Sequence, residues 1–179
     1  MRYRADHRSA ACLARVALLL SLAVILGYIE SLVLPSLPVP GLRLGLANIA
    51  VVVALATFGL RAAAMVSLGR VFLVALALGT LGGPSFALAL GGALAALALM
   101  ALLSKAGRTF SVIGWSVAGS AAHVTAQLAI AALVVGSSSP LLLMPVALGL
   151  SVPLGLAVGH VARLLLSRIP DWSLSAAGR

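Results

Sequence analysis

The sequence contains very few charged residues and almost no acidic ones. Of its 179 residues, 8% are charged, and only Asp6, Glu30 and Asp171 are acidic. A soluble domain carries about a quarter charged residues, which it needs to cover its surface. Because 63% of the residues are hydrophobic and the mean hydropathy is +1.22, the composition excludes an ordinary soluble domain and predicts a protein surrounded by lipid.

Several chemical signatures are also missing. The single cysteine, Cys12, excludes an internal disulfide and a cysteine-based metal cluster, so we expect a small buried or lipid-facing residue. No P-loop, G-x-S-x-G or H-E-x-x-H motif occurs. Phosphoryl- and prenyl-transfer sites hold Mg²⁺ with several carboxylates, and Glu30 is the only acid within the apolar segments. We expect no catalytic residue, no metal site, no cofactor and no catalysis by this chain alone.

The net charge of +9 comes from basic residues at the ends of apolar segments. They are not interleaved with aromatic residues on one surface, so nucleic-acid binding is a poor interpretation and control of membrane topology is a good one. Arg2, Arg4, Arg8 and Arg15 precede the first apolar segment, as in a cleaved signal. That segment ends at Gly27–Ser31 without an A-x-A-like site, so we expect a retained helix.

The apolar segments predict the fold. A helix needs about 20 apolar residues to cross a hydrocarbon core of about 30 Å. Pro35, Pro38 and Pro40 end the first segment, and turns rich in glycine or proline lie at 79–84 and 136–140. The sequence predicts an all-α bundle with about six transmembrane helices, at about 12–34, 44–58, 62–78, 85–103, 111–135 and 141–166. The second segment is marginal in length.

The distribution of basic residues predicts the orientation. With the N-terminus inside, only Arg43 is basic among the outer connections. The cytoplasmic connections and tail hold Arg61, Lys105, Arg108, Arg163 and Arg168. This asymmetry follows the positive-inside rule. We predict cytoplasmic tails at 1–11 and 169–179, and a six-helix domain at 12–168 in the cytoplasmic (inner) membrane.

Small residues within the spans, such as Gly155 and Gly159, allow helices to approach closely. In so alanine-rich a chain, we interpret them as compact packing of one bundle and not as a dimer motif.

The polar residues of the spans are the candidates for function. A charged residue at membrane depth costs about 2.5–3.5 kcal/mol on insertion scales, so each one needs a reason. We predict that six residues line or support an outward-facing ligand pocket. They are Glu30, Arg43, Asn48, Arg70, His123 and Gln127.

Each of these residues has a structural alternative. Glu30, near the outer end of the first helix, contacts a ligand or else caps or pairs locally. Arg70, about 12 Å into the third helix, holds an anion, pairs with Glu30 or is tethered to a neighbouring helix. Arg43 and Asn48 flank the N-terminus of the second helix, which favours anions. Their alternative is an interfacial arginine and a helix cap.

The fifth helix carries a polar stripe. His123 and Gln127 are four residues apart and share one face, with Ser116 and Ser120 on or near the same stripe. Such a stripe faces the interior of the bundle or a cavity. The alternative is hydrogen bonding between helices.

Three blocks of sequence carry a family resemblance. The first is residues 27–31 (G-Y-I-E-S), the proline-rich loop and residues 41–49 (G-L-R-L-G-L-A-N-I). The others are residues 66–71 (V-S-L-G-R-V) and 111–119 (S-V-I-G-W-S-V-A-G), the latter followed by His123 and Gln127. Together they resemble the Gx transporter family, also labelled heptaprenyl diphosphate synthase component I, over roughly residues 12–168. Thr125 departs from the family pattern leading to Gln127.

The resemblance implies a fold akin to the substrate-binding (S) components of energy-coupling-factor transporters. Those bind a small molecule near the outer face and rely on a separate transmembrane coupling protein and on ATPases. Their first helix often contacts the coupling protein through an A-x-x-x-A pattern, which Ala10 and Ala14 match. On this hypothesis, the chain is the membrane subunit that binds an anionic or amphipathic small molecule for uptake.

Two other hypotheses stay open. One is a non-catalytic membrane subunit of a polyprenyl diphosphate, quinone or flavin-linked redox complex, with a soluble synthase or redox protein as its partner. The other is a self-sufficient enzyme, which ranks last because the Asp-rich metal motifs of prenyl synthases are missing.

Overall fold

The computed structural model describes residues 2–33, 45–106 and 109–169, with side chains from Ala10 onwards. This part of the chain is helical and contains no strand, as the apolar segments predict. Six α-helices and a short 3₁₀ helix follow one another: α1 (Arg2–Val33), α2 (Leu46–Phe58), α3 (Leu60–Ala77), α4 (Pro84–Lys105), α5 (Val112–Val135), the 3₁₀ helix (Ser139–Leu143) and α6 (Met144–Arg168).

Within the described residues, five helices are long and apolar enough to cross a membrane. The sixth, α2, has 13 residues and is about 20 Å long, shorter than a hydrocarbon core of about 30 Å. The prediction of an all-helical, multi-pass membrane bundle is confirmed, as is the short second helix. That α2 crosses the membrane completely, which would put both chain termini on the same side, stays a prediction.

The short helix α2 lies at the centre of the bundle. It packs against α1, α3, α5 and α6. The consecutive residues Val51, Val52 and Val53 are each at most 1% exposed, so neighbouring helices enclose the middle of α2, whereas Leu46 and Ala56 are exposed. A helix that is apolar all round is stable where it is buried. Because protein surrounds it, α2 can end inside the bundle without exposing its backbone to hydrocarbon.

Two glycines bring α5 and α6 into close contact. A Cβ atom at Gly155 would lie 2.7 Å from the Cα of Val117, and one at Gly159 would lie 2.8 Å from the Cα of Ile113. The two helices therefore run antiparallel and touch backbone to backbone, which only small residues permit. The interpretation of these glycines as packing residues within one bundle is confirmed.

The antiparallel order brings several basic side chains to one end of the bundle. Gly59 alone connects α2 to α3, with a φ angle of 81° in the left-handed region that favours glycine. Arg61 follows this turn, while Lys105 and Arg168 are the last residues of α4 and α6. Basic residues gathered at one end of the bundle are the pattern from which we predict that both chain termini lie in the cytoplasm.

Candidate functional site

The buried carboxylate of Glu30 caps a neighbouring helix. Glu30 lies near the end of α1 and is 3% exposed. Its Oε1 atom accepts hydrogen bonds from the backbone N–H of Gly45 and from that of Leu46, the latter at 3.3 Å. These N–H groups begin α2, where no acceptor exists within the helix and where the dipole favours an anion. Since Gly45 has no side chain to cap α2, Glu30 supplies the cap from α1.

A polar cavity adjoins this contact, where α1, α2, α3 and α5 meet. Its empty volume is about 320 Å³, including space open to the outside, and its enclosed part holds about one or two water molecules. The cavity is lined by Glu30, Gly45, Asn48, Arg70, Ser120, His123 and Val124. Four of the six predicted site residues therefore line one polar cavity, although they come from four different helices.

Arg70 occupies the middle of α3 and is 5% exposed. It lies ten residues after Leu60, the first residue of α3, so about 15 Å along the helix. Its stem lies against Gly27 of α1, where an added Cβ atom would make an ordinary van der Waals contact with the Arg70 Cδ at 3.4 Å. Arg70 lines the polar cavity and also a second cavity along α3.

His123 occupies the middle of α5 and is 7% exposed. Its ring packs against α4 at Gly92, where a Cβ atom would lie 2.8 Å from the ring Cε1 and Nε2. Gly92 therefore provides the space that holds the imidazole at the wall of the polar cavity. A glycine inside an apolar helix is the sequence signal for such a close approach.

Gln127 is buried but does not line the polar cavity. It is 4% exposed, and its Oε1 atom has no hydrogen-bond partner in the described part of the chain. Ser116, on the same stripe of α5, is 3% exposed. The predicted stripe thus faces the interior of the bundle, whereas Thr125 is exposed and donates its hydroxyl hydrogen to the Ala121 carbonyl.

The predictions for Arg43 and for the proline-rich loop stay predictions. Arg43 and the proline-rich loop lie outside the described residues. In the described ranges, no three His, Cys, Asp or Glu side chains are grouped so that they could hold a metal ion.

Several residues around the cavity could not be assigned to it from the sequence. Gly45 lines it together with Ser120 of the predicted stripe. Gly92 makes room for the His123 ring, and Gly27 lies against the stem of Arg70. The positions of these small residues depend on which helices are neighbours. The glycines within apolar helices were the available signal, but they could not be assigned to the site before the helix order was known.

The fold and the polar cavity define a class, namely a multi-pass helical membrane protein with ionisable residues enclosed in its bundle. The family model for heptaprenyl diphosphate synthase component I matches residues 19–165. The chain therefore belongs to this family, as the resemblance predicts. No curated protein and no solved structure matches the chain significantly. The relation to transporter S components stays a hypothesis.

Proposed function

We propose that this protein is the substrate-binding membrane subunit of a small-molecule uptake system. The observation that carries the proposal is the polar cavity, where Glu30, Asn48, Arg70 and His123 meet inside an apolar bundle. Buried ionisable groups are expensive in a membrane and mark ligand or ion pathways. The cavity is small in this conformation, so binding of an organic ligand requires the surrounding helices to move apart.

The charges around the cavity favour an anionic ligand or an anionic headgroup. The N-terminus of α2 donates to the Glu30 carboxylate, so that helix end offsets part of the negative charge of Glu30, and the guanidinium of Arg70 is the positive side chain that lines the same cavity. Asn48 adds an amide that can donate to an oxygen atom. Arg43, two residues before Gly45 in the sequence, would add a second cation at the same end of α2.

The proposed partners are a transmembrane coupling protein and ATPases. Uptake against a gradient needs an energy source. Because we assign ligand binding and not catalysis to this chain, separate subunits would supply that energy. Its apolar helices present large lipid-facing surfaces, with Leu13, Leu18 and Ile25 of α1 each more than half exposed. The coupling protein would contact α1 near Ala10 and Ala14.

Mass spectrometry of the protein purified in mild detergent tests this function. We expect a retained small anion, together with coupling and ATPase subunits. Asn48→Ala and His123→Ala should each reduce retention about tenfold, the effect of losing a good hydrogen bond in a buried site. Thr125→Ala, on the exposed side of α5, is the matched control. Undiminished retention in both cavity variants would refute the proposal.

A second candidate function follows from the family. The family description, heptaprenyl diphosphate synthase component I, favours a non-catalytic membrane subunit of a polyprenyl diphosphate synthase complex, or of a quinone or flavin-linked one. On this alternative, the same purification yields a soluble synthase or redox protein and no ATPase. The cavity variants then alter assembly or stability and leave small-molecule uptake unaffected.

A further inference from the structure

The exposed face of α6 carries a polar stripe near the end of the helix. His160, Arg163 and Ser167 are all exposed, and they share one face because they are three and four residues apart. The buried residues of α6, such as Val158 and Ala162, lie on the opposite face. We call His160, Arg163 and Ser167 the α6 stripe. It faces away from the helices that α6 packs against.

Two members of the α6 stripe lie at the depth of the hydrocarbon. The helix has 25 residues, so it is about 37 Å long and extends beyond a core of about 30 Å by about 4 Å at each end. Arg163 lies about 8 Å before the last residue, Arg168, and His160 lies about 12 Å before it. Polar groups that face lipid at this depth are costly, and they mark functional sites with a partner.

Within the described residues, the α6 stripe makes hydrogen bonds only inside its own helix. The Nδ1 atom of His160 donates to the Leu156 carbonyl at 3.3 Å, and the Ser167 hydroxyl donates to the Leu164 carbonyl at 2.8 Å. The Nε2 atom of His160 and the guanidinium of Arg163 are therefore available to a group outside the chain.

Charge and depth together indicate a carboxylate on another transmembrane helix. A carboxylate matches the fork of the Arg163 guanidinium. The phosphates of phospholipids lie at the interface, about 8 Å from the level of His160, and an imidazole on a single methylene group does not reach them. A second copy of this chain does not supply the carboxylate. Its Asp6 and Asp171 lie outside the apolar segments, and its Glu30 is buried as the cap of α2.

We propose that the α6 stripe is the docking surface for a transmembrane helix of a different membrane protein, which carries an aspartate or glutamate at the depth of Arg163. The carboxylate accepts hydrogen bonds from the guanidinium, and the Nε2 atom of His160 bonds a polar group deeper on the same partner helix. The inference goes beyond the proposed function, because it applies to a coupling protein and to a membrane subunit of a synthase or redox complex alike. In the described ranges, residues of α6 do not line the polar cavity, so ligand retention there does not depend on this docking.

Photo-cross-linking from α6 in the native membrane tests the inference. The full chain carries p-benzoylphenylalanine in place of Leu164, which is 60% exposed beside the α6 stripe. The matched control carries it in place of Leu102, which is 66% exposed near the same end of the bundle. We expect a product from the Leu164 position alone, in which mass spectrometry identifies a different membrane protein with an acidic residue in the linked apolar segment. Products with phospholipid alone, with a second copy of this chain or with a segment lacking an acid would overturn the proposal, as would the absence of any product.

A charge reversal and its compensation test the ion pair. Arg163→Glu should lower the yield of the cross-linked product at least about tenfold, because it places two carboxylates together. Arg163→Lys keeps the charge and should retain most of the yield. Arg61→Glu removes an exposed arginine at the same end of the bundle and should leave the yield unchanged. Replacement of the partner's acid by lysine should restore the yield of Arg163→Glu. Equal effects of Arg61→Glu and Arg163→Glu, or a failure of the compensating change, would overturn the proposal.

Discussion

At the scale of single residues, Glu30 joins two helices through one carboxylate oxygen. It satisfies backbone N–H groups of Gly45 and Leu46 that have no acceptor inside α2. The contact also places the negative charge of the carboxylate at the positive end of the α2 dipole, which favours it. Glu30 therefore holds α1 and the N-terminus of α2 in the geometry that forms the polar cavity, whether or not it also touches a ligand.

Two substitutions of Glu30 should separate what its negative charge contributes to stability from what its hydrogen-bond acceptor contributes. Glu30→Ala leaves buried N–H groups unpaired and should lower the free energy of unfolding by about 1–3 kcal/mol. Glu30→Gln keeps an acceptor oxygen and should lose less. Unfolding in mixed detergent micelles measures both, with the exposed Ile29→Ala as the control. Equal stability of Glu30→Ala and the parent protein would contradict the capping role.

A second residue-scale prediction concerns the pocket for the His123 ring. Gly92→Ala would place a Cβ atom 2.8 Å from that ring, so either the imidazole or α4 must shift. The variant should lose about 1–3 kcal/mol of stability. Gly149→Ala is the control, because no atom lies within 4 Å of its added Cβ. A neutral Gly92→Ala in the same unfolding assay would show that the imidazole has room to move.

At the scale of helices, the boundaries were predictable from the helix-breaking residues and from the lengths of the apolar segments between them. Glycine and proline end the apolar segments, so α3, α4 and α5 begin and end within about two residues of their predicted positions. The 3₁₀ helix at Ser139–Leu143 was not predicted, since the leucines after Pro140 continue the apolar pattern of α6. Periodicity does not distinguish a 3₁₀ turn from the start of an α-helix.

The contact between α5 and α6 gives a prediction at the helix scale. Gly155→Ala would bring a Cβ atom within 2.7 Å of the Val117 Cα, and a backbone cannot yield as a flexible side chain does. We expect the two helices to separate and the free energy of unfolding to fall by about 1–3 kcal/mol. Cross-linking of cysteines placed in α5 and α6 measures the separation. Unchanged cross-linking and stability would contradict the close contact.

At the scale of the whole molecule, the sequence predicts which residues are polar and buried more readily than where each side chain points. Glu30, Asn48, Arg70 and His123 line one cavity, and their role in binding a ligand stays a prediction. Gln127 shares a helix face with His123 but lies outside the cavity lining, because residues one turn apart meet different neighbours. The second cavity along α3 could not be predicted, since residues of α1, α3 and α4 line it together.

The orientation of the chain is a prediction for the whole molecule. Cysteines placed at Arg61 and Lys105 should react only after the membrane is made permeable, because basic residues stay in the cytoplasm. Cysteines at Gly82 and Ser138, in the opposite turns, should react from outside in intact cells. The background carries Cys12→Ser. Labelling of Lys105→Cys from outside in intact cells would show that the orientation is the reverse of the predicted one.

The polar cavity inside the lipid-surrounded bundle should be accessible to water. The most direct test is the reaction of single cysteines on α5 with a small charged thiol reagent, which needs water to react. Ser120→Cys, at the cavity wall, should react, and Thr125→Cys, on the exposed face in the membrane, should not. Reaction at Thr125→Cys with none at Ser120→Cys would contradict the claim.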